Sequence, residues 1–206
     1  MTLESGFTFF IAIFIFGITP GPGTFALLGR SLTHEAKSCL PLAFGMTISD
    51  SIYLIMACLG LSAIAEHWGT AFTIIRLVGA AYLIYLGWKM WTAPIDTEFK
   101  AKIGRSGHGF ALFMQGVLIS ASNPKVILFY IAFLPTFMDL SILRTQDIFT
   151  VVMLDMLALM LSLMLVVYGA ARAKKTLTST TALKRLNRTA GSIMAGAGVF
   201  LATRSS

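Results

Sequence analysis

Eight residues interrupt long apolar stretches with groups that hydrocarbon does not tolerate: Pro20, Gly21, Pro22, Asp50, Asn123, Pro124, Lys125 and Asp155. A proline lacks the backbone N–H and clashes with the preceding helical turn. Pro20-Gly21-Pro22 must therefore unwind a helix or kink it hard. Backbone groups freed this way are costly in lipid, so the break has to face protein or a water-filled cavity. A half-helix starting after Pro22 would aim its positive N-terminus into that cavity, where a substrate carboxylate can bind. The plain alternative is a packing kink, for which one proline would suffice.

Asn123-Pro124-Lys125 is the counterpart in the second half of the chain. An ammonium at mid-span costs about 2.5–3.5 kcal/mol on insertion scales. Lys125 lies too far from either end of its segment to snorkel readily. It is expected to face the interior and pair with Asp50 or Asp155, either as part of a substrate site or as a structural ion pair. Asp50 shares a helical face with Ala43, Thr47, Tyr53 and Ala57, and Asp155 shares one with Ala158 and Ser162. Small and polar faces suit a bundle interior. A desolvated carboxylate can exchange a proton near neutral pH. Such a group could couple protons to transport, hold the ammonium of an amino acid, or balance Lys125 or Arg76.

The elements that must position these groups follow from length and composition. The chain has 206 residues, 56% of them hydrophobic and 12% charged. Soluble domains carry about 25% charged residues, and the mean hydropathy here is +0.80. A soluble enzyme, a disordered chain, a collagen and a coiled coil are excluded; with two cysteines, so is a disulfide scaffold. Neither Cys39 nor Cys58 belongs to a Cys-x-x-Cys pair, and His34, His67 and His108 fall in connections. No metal, no cofactor and no enzymatic activity are expected. The net charge of +7 is scattered over connections, so nucleic acid is not an expected partner.

A helix crosses a bilayer with about 20 apolar residues. Six segments qualify: 7–28, 40–65, 68–91 (with Arg76), 110–137, 149–171 and the short 189–203. Met1 to Gly6 carries Glu4 and no lysine or arginine, so the first segment reads as a retained span and not a signal peptide. Polar connections are expected at 92–109 and 173–188. Of the sixteen lysines and arginines, twelve fall in the odd-numbered connections and two, Arg144 and Arg204, on the other side. By the positive-inside rule the odd connections are cytoplasmic and both termini periplasmic. Tyr82, Tyr85, Trp88 and Trp91 read as an interfacial belt, and Gly191, Ala195 and Gly196 as a close-packing face.

The two halves share a layout. Asp50 follows Pro20 by 30 residues and Asp155 follows Pro124 by 31. Each half gives a proline-broken helix, then a helix with one aspartate. With three spans per half, the second half must enter from the opposite side, which makes an inverted repeat of the kind found in secondary transporters. The expected fold class is all-α: a polytopic membrane helical bundle of six transmembrane helices in two inverted three-helix repeats, helices 1 and 4 broken. The chain is read as one transmembrane domain, 1–206, with halves of about 1–91 and 110–206 joined by a cytoplasmic loop 92–109.

The motifs resemble those of the lysine exporter (LysE/RhtB-type) amino-acid translocators, over nearly the whole chain. The resemblance rests on Thr19-Pro20-Gly21-Pro22, Gly45 with Ser49-Asp50, Gly79-Ala80-Ala81-Tyr82-Leu83 through Gly87, Phe113, Gly116, Asn123-Pro124-Lys125 and Leu134-Pro135. Ser49 stands where a second glycine is usual, and Thr136 where glutamine is often seen. The resemblance implies a proton-driven exporter of amino acids or related metabolites in the bacterial inner membrane. Its partners would be a zwitterionic small molecule, protons and the lipid bilayer. The residues leave open whether copies of the chain form a homo-oligomer, and they do not name the substrate.

On this reading Pro20, Gly21, Pro22, Asn123, Pro124 and Lys125 line the substrate site, and Asp50 and Asp155 handle protons. A passive channel or a metal-cation exporter of the same architecture is the alternative. A membrane thiol-exchange enzyme would need a cysteine in each break, and neither break has one.

Overall fold

A computed structural model describes residues 3–19, 21–67, 69–92, 109–138, 140, 144–172 and 180–203. Every regular element among them is helical: α1 (Leu3–Ile18), α2 (Pro22–Thr33), a 3-10 turn (Ala36–Cys39), α3 (Leu40–His67), α4 (Gly69–Thr92), α5 (Gly109–Ala121), α6 (Pro124–Phe137), α7 (Thr145–Arg172) and α8 (Thr180–Thr203). Pro20 and residues 93–108 and 173–179, where polar connections are expected, lie outside the described residues, as do the side chains of Arg76 and Pro124.

Both expected breaks are present. The axes of α1 and α2 differ by 62°, and those of α5 and α6 by 57°. Among the described residues, Ala36–Leu61 and Thr145–Arg172 are long and apolar enough to cross a membrane alone, and the two bent pairs raise the number of candidate spans to four. The segment expected to span from 189 starts earlier, at Thr180. Residues 180–188 contain no glycine or proline, and their alanine, leucines, lysine and arginines propagate a helix well.

α7 shows the outer face expected of a helix in lipid. Phe149, Met153, Leu157, Leu161 and Leu165 recur every four residues and are exposed. Asp155, Ala158, Ser162 and Val167 are buried on the opposite side. Val151, Leu159 and Leu163 are buried there too, so the inner face mixes apolar core residues with two polar groups, while a wholly apolar outer face is stable in lipid, not in water.

The larger helix contacts join the first half of the chain to the second. α1 packs on α7 while α5 packs on α3; α2 packs on α7 while α6 packs on α3; α3 meets α7 and α4 meets α8. α4 also lies against α6. Close approach is set by glycine. A β-carbon at Gly45 would strike the Phe113 carbonyl, and one at Gly116 would strike the Leu42 carbonyl, so α3 and α5 touch backbone to backbone. Gly87 and Gly191 do the same for α4 and α8, each with its absent β-carbon 2.5 Å from the other's carbonyl oxygen. Gly191 and Ala195 belong to this face as expected. Gly196 does not: it is exposed with open space around it, and Gly198 packs instead, against Ala80 and Ile84. One turn of helix turns a residue through 360° in 3.6 positions, so Gly191, Ala195 and Gly198 align and Gly196 falls aside.

The core divides in two. One cluster joins Phe9, Ile13 and Phe16 of α1, Leu54 to Leu61 of α3, Tyr130 and Leu134 of α6, and Val151 to Leu159 of α7. The other joins Ala26 and Leu27 of α2, Leu42 and Met46 of α3, Leu112 of α5, and Leu163 and Val167 of α7. The start of α3 thus meets the end of α7, which places the two helices antiparallel, with Asp50 between the clusters.

Candidate functional site

The gap between the clusters is a cavity of about 30 Å³, room for about two waters. Phe16, Val126 and Leu159 line it from one cluster, Met46 and Leu163 from the other, and Asp50, Ser120, Asn123, Lys125, Gly21, Gly23 and Thr24 supply its polar surface. Five of the eight residues singled out in the sequence therefore bear on one place: Asp50, Lys125, Asn123 and Gly21 line it, and Pro22 opens the helix beside it. Pro20 lies outside the described residues.

The two breaks differ chemically. At the second, the Asn123 side chain accepts from the Lys125 backbone N–H at 3.2 Å and caps α6. At the first, Gly21 is extended (φ −166°) and offers no side-chain cap, and Gly23 and Thr24 of the first turn of α2 line the cavity. The first N–H groups of a helix have no partner inside it, and the dipole adds positive potential there. The Lys125 ammonium lies 3.9 Å from where a Gly21 β-carbon would be, and 4.4 Å from the Phe16 ring centre. Ammonium and helix terminus together make one end of the cavity positive.

Asp50 forms the other pole. It is buried and accepts from the Ser120 hydroxyl. It acts electrostatically on Lys125. Of the two partners expected for Lys125, the cavity supplies Asp50. Asp155 lies elsewhere: fully buried, it accepts from the Tyr130 hydroxyl at 2.7 Å and from the Ser51 hydroxyl at 3.0 Å. It belongs to the first cluster's side of the cavity and does not line it. Two separate carboxylate stations result, one facing the cavity and one behind it, joined through adjacent residues Asp50 and Ser51 on α3.

Ser120, Ser51, Tyr130 and Met46 escaped the sequence reading. Ser120 carried a signal, three residues before Asn123 and on a buried face. Tyr130 looked like one aromatic among sixteen phenylalanines and five tyrosines. Only its burial against Asp155 distinguishes it. At the belt, Trp91 donates its indole N–H to the Ser192 hydroxyl at 2.8 Å and lies under the Arg188 guanidinium, 5.0 Å away.

Comparison with known proteins places the chain in a family. Residues 14–205 match the family described as LysE type translocator. A leucine efflux protein of Enterobacter sp. (strain 638) is 28% identical over 198 residues, covering 95% of this chain and 94% of that protein. An uncharacterized membrane protein of Vibrio cholerae is 27% identical over 210 residues, covering 98% of each. A leucine efflux protein of Salmonella choleraesuis is 34% identical over 130 residues, covering 63% of this chain and 61% of that protein. No solved structure matches the chain. The match over nearly the whole length establishes that this chain belongs to the LysE type translocator family, whose members are membrane transporters and not enzymes.

Proposed function

We propose that this protein is a secondary active exporter of amino acids or related zwitterionic metabolites across the bacterial inner membrane, driven by inward proton flow. The observation that carries the reading is the burial of opposite charges, Asp50 and Lys125, in one cavity framed by two helix breaks. A zwitterion needs that arrangement. Its carboxylate goes to Lys125 and the open start of α2, beside Gly21 and Pro22; its ammonium goes to Asp50. Asn123 and Pro124 hold α6 so that Lys125 reaches the cavity. The leucine efflux names of relatives support an amino acid as cargo.

Six spans in two inverted repeats are supported by several helix pairs, although α4–α6 and α3–α4 have no counterpart of similar size in α8–α2 or α7–α8. Exchanging α1 with α5, α2 with α6 and α3 with α7 turns the α1–α7 contact into α5–α3, and α2–α7 into α6–α3. The whole chain acts as one transporter domain, and alternating access follows from one half rocking against the other around the cavity. With both termini periplasmic, the start of α3 is cytoplasmic, and Asp155 lies on the outer side of the cavity. It takes a proton from the periplasm, Asp50 passes one on as substrate is exchanged, and both release inward. One charge crossing 100 mV supplies about 2.3 kcal/mol, enough for a roughly fortyfold substrate gradient.

The test is an amino-acid export screen in cells overproducing the protein, with Asp50→Asn as the control. Wild type should release one or a few amino acids, and faster when the proton gradient is raised; Asp50→Asn should insert normally and release none above background. Equal export by the two would remove Asp50 from the mechanism. Export indifferent to an imposed proton gradient would mark a passive pore.

A further inference from the structure

We propose that the Met46 side chain occupies the subsite for the cargo's own side chain, and that Met46 with Ile119 sets which apolar side chain is carried. The inference rests on the amino-acid reading above and deepens it. The ammonium, carboxylate and side chain of an amino acid radiate from one carbon. With Asp50 and Lys125 taking the first two, the third group must find its place within a side chain's length of Asp50.

Met46 lies one turn before Asp50 on α3, about 6 Å along the axis, and Ile119 is the neighbour of Ser120 on α5. Both line the cavity together with Leu163. A β-carbon at Gly23 would fall on the Met46 methyl, 3.2 Å from its sulfur and 3.8 Å from an Ile119 methyl. The methionine thus reaches across the cavity to the first turn of α2, and the space left admits about two waters, too little for an amino acid. An unbranched thioether with three rotatable bonds can swing aside where a β-branched residue could not. Asp50 and Lys125 are fixed in number and charge, so Met46 is the wall that yields.

The three side chains that would surround the cargo's side chain, Met46, Ile119 and Leu163, are apolar. A cargo ammonium or hydroxyl placed against Met46, Ile119 and Leu163 would lose its water without gaining a partner. Cargo with an aliphatic side chain is therefore accepted, and lysine is rejected. Size is limited by how far Met46 can withdraw.

The experiment measures binding to the purified full-length protein in nanodiscs, with labelled leucine and competing alanine, phenylalanine, threonine and lysine. Wild type should prefer leucine to lysine and threonine. Met46→Ala should raise phenylalanine relative to leucine about tenfold, the scale of discrimination by apolar volume. If Met46→Ala does not accumulate, Ile119→Ala widens the same end from α5 and should move the ranking the same way. A wild type that prefers lysine or threonine, or binds none of the five, overturns the inference. So does an unchanged ranking in the variants. The export screen judges the transport reading separately: a cell that exports threonine through this protein sinks the apolar subsite and leaves amino-acid export standing.

Discussion

The Tyr130 hydroxyl donates to the Asp155 carboxylate at 2.7 Å, joining α6 to α7 at a point outside the cavity that Asp50 and Lys125 share. One half-helix therefore carries both a cavity charge, Lys125, and a tie to the second carboxylate. Lys125 and Tyr130 lie five residues apart on α6, so the cavity and the Asp155 station share one helix.

This division predicts distinct phenotypes for the two aspartates. Asp155→Asn should still bind substrate and exchange it between the two sides, while losing accumulation driven by a proton gradient. Proteoliposomes loaded with unlabelled substrate, assayed with and without an imposed gradient, separate these activities. Loss of exchange as well as accumulation would place Asp155 in substrate binding instead.

Tyr130→Phe keeps the ring and removes one donor from a fully buried carboxylate. Leaving such a group short of a partner costs about 1–3 kcal/mol. Thermal unfolding in detergent should fall accordingly, and substrate affinity should change little because Tyr130 does not line the cavity.

Lys125→Met should abolish substrate binding, and it strands Asp50 opposite an apolar side chain. The double variant Asp50→Asn with Lys125→Met should be more stable than Lys125→Met alone, because a buried charge without its counter-charge is worse than none. A double-mutant cycle on unfolding should return a coupling of about 0.5–3 kcal/mol. Additive effects would mean that the two charges do not feel each other.

The glycine contacts make a sharper structural prediction. Gly116→Ala drives a methyl into the Leu42 carbonyl and should cost about 1–3 kcal/mol by forcing α3 and α5 apart. Gly60→Ala and Gly169→Ala meet open space and should be neutral. Thermal melts of the three variants side by side test this; equal melting would deny the close α3–α5 approach.

How much of this was legible in the residues can be judged place by place. The helix breaks at Pro20-Gly21-Pro22 and Asn123-Pro124 were, because proline's missing N–H acts locally and needs no neighbour. α8 begins nine residues before the span expected from 189, because lysine and arginine look like loop chemistry in a hydropathy scan yet are good helix formers. Gly191 and Ala195 form the expected packing face, whereas Gly196, equally small, stands in open space. Its direction around the helix decides this.

The sequence by itself determined that this is an all-helical membrane chain, where its helices break, and which charges must hide inside. These follow from the cost of polar groups in hydrocarbon, which each segment bears alone. Only the tertiary structure decided that Lys125 shares its cavity with Asp50 and not with Asp155, that Tyr130 and Ser51 donate to Asp155, and that Met46 lines the cavity beside Gly23. Those pairings join residues from different helices, and their partners are fixed by how the helices lie against one another.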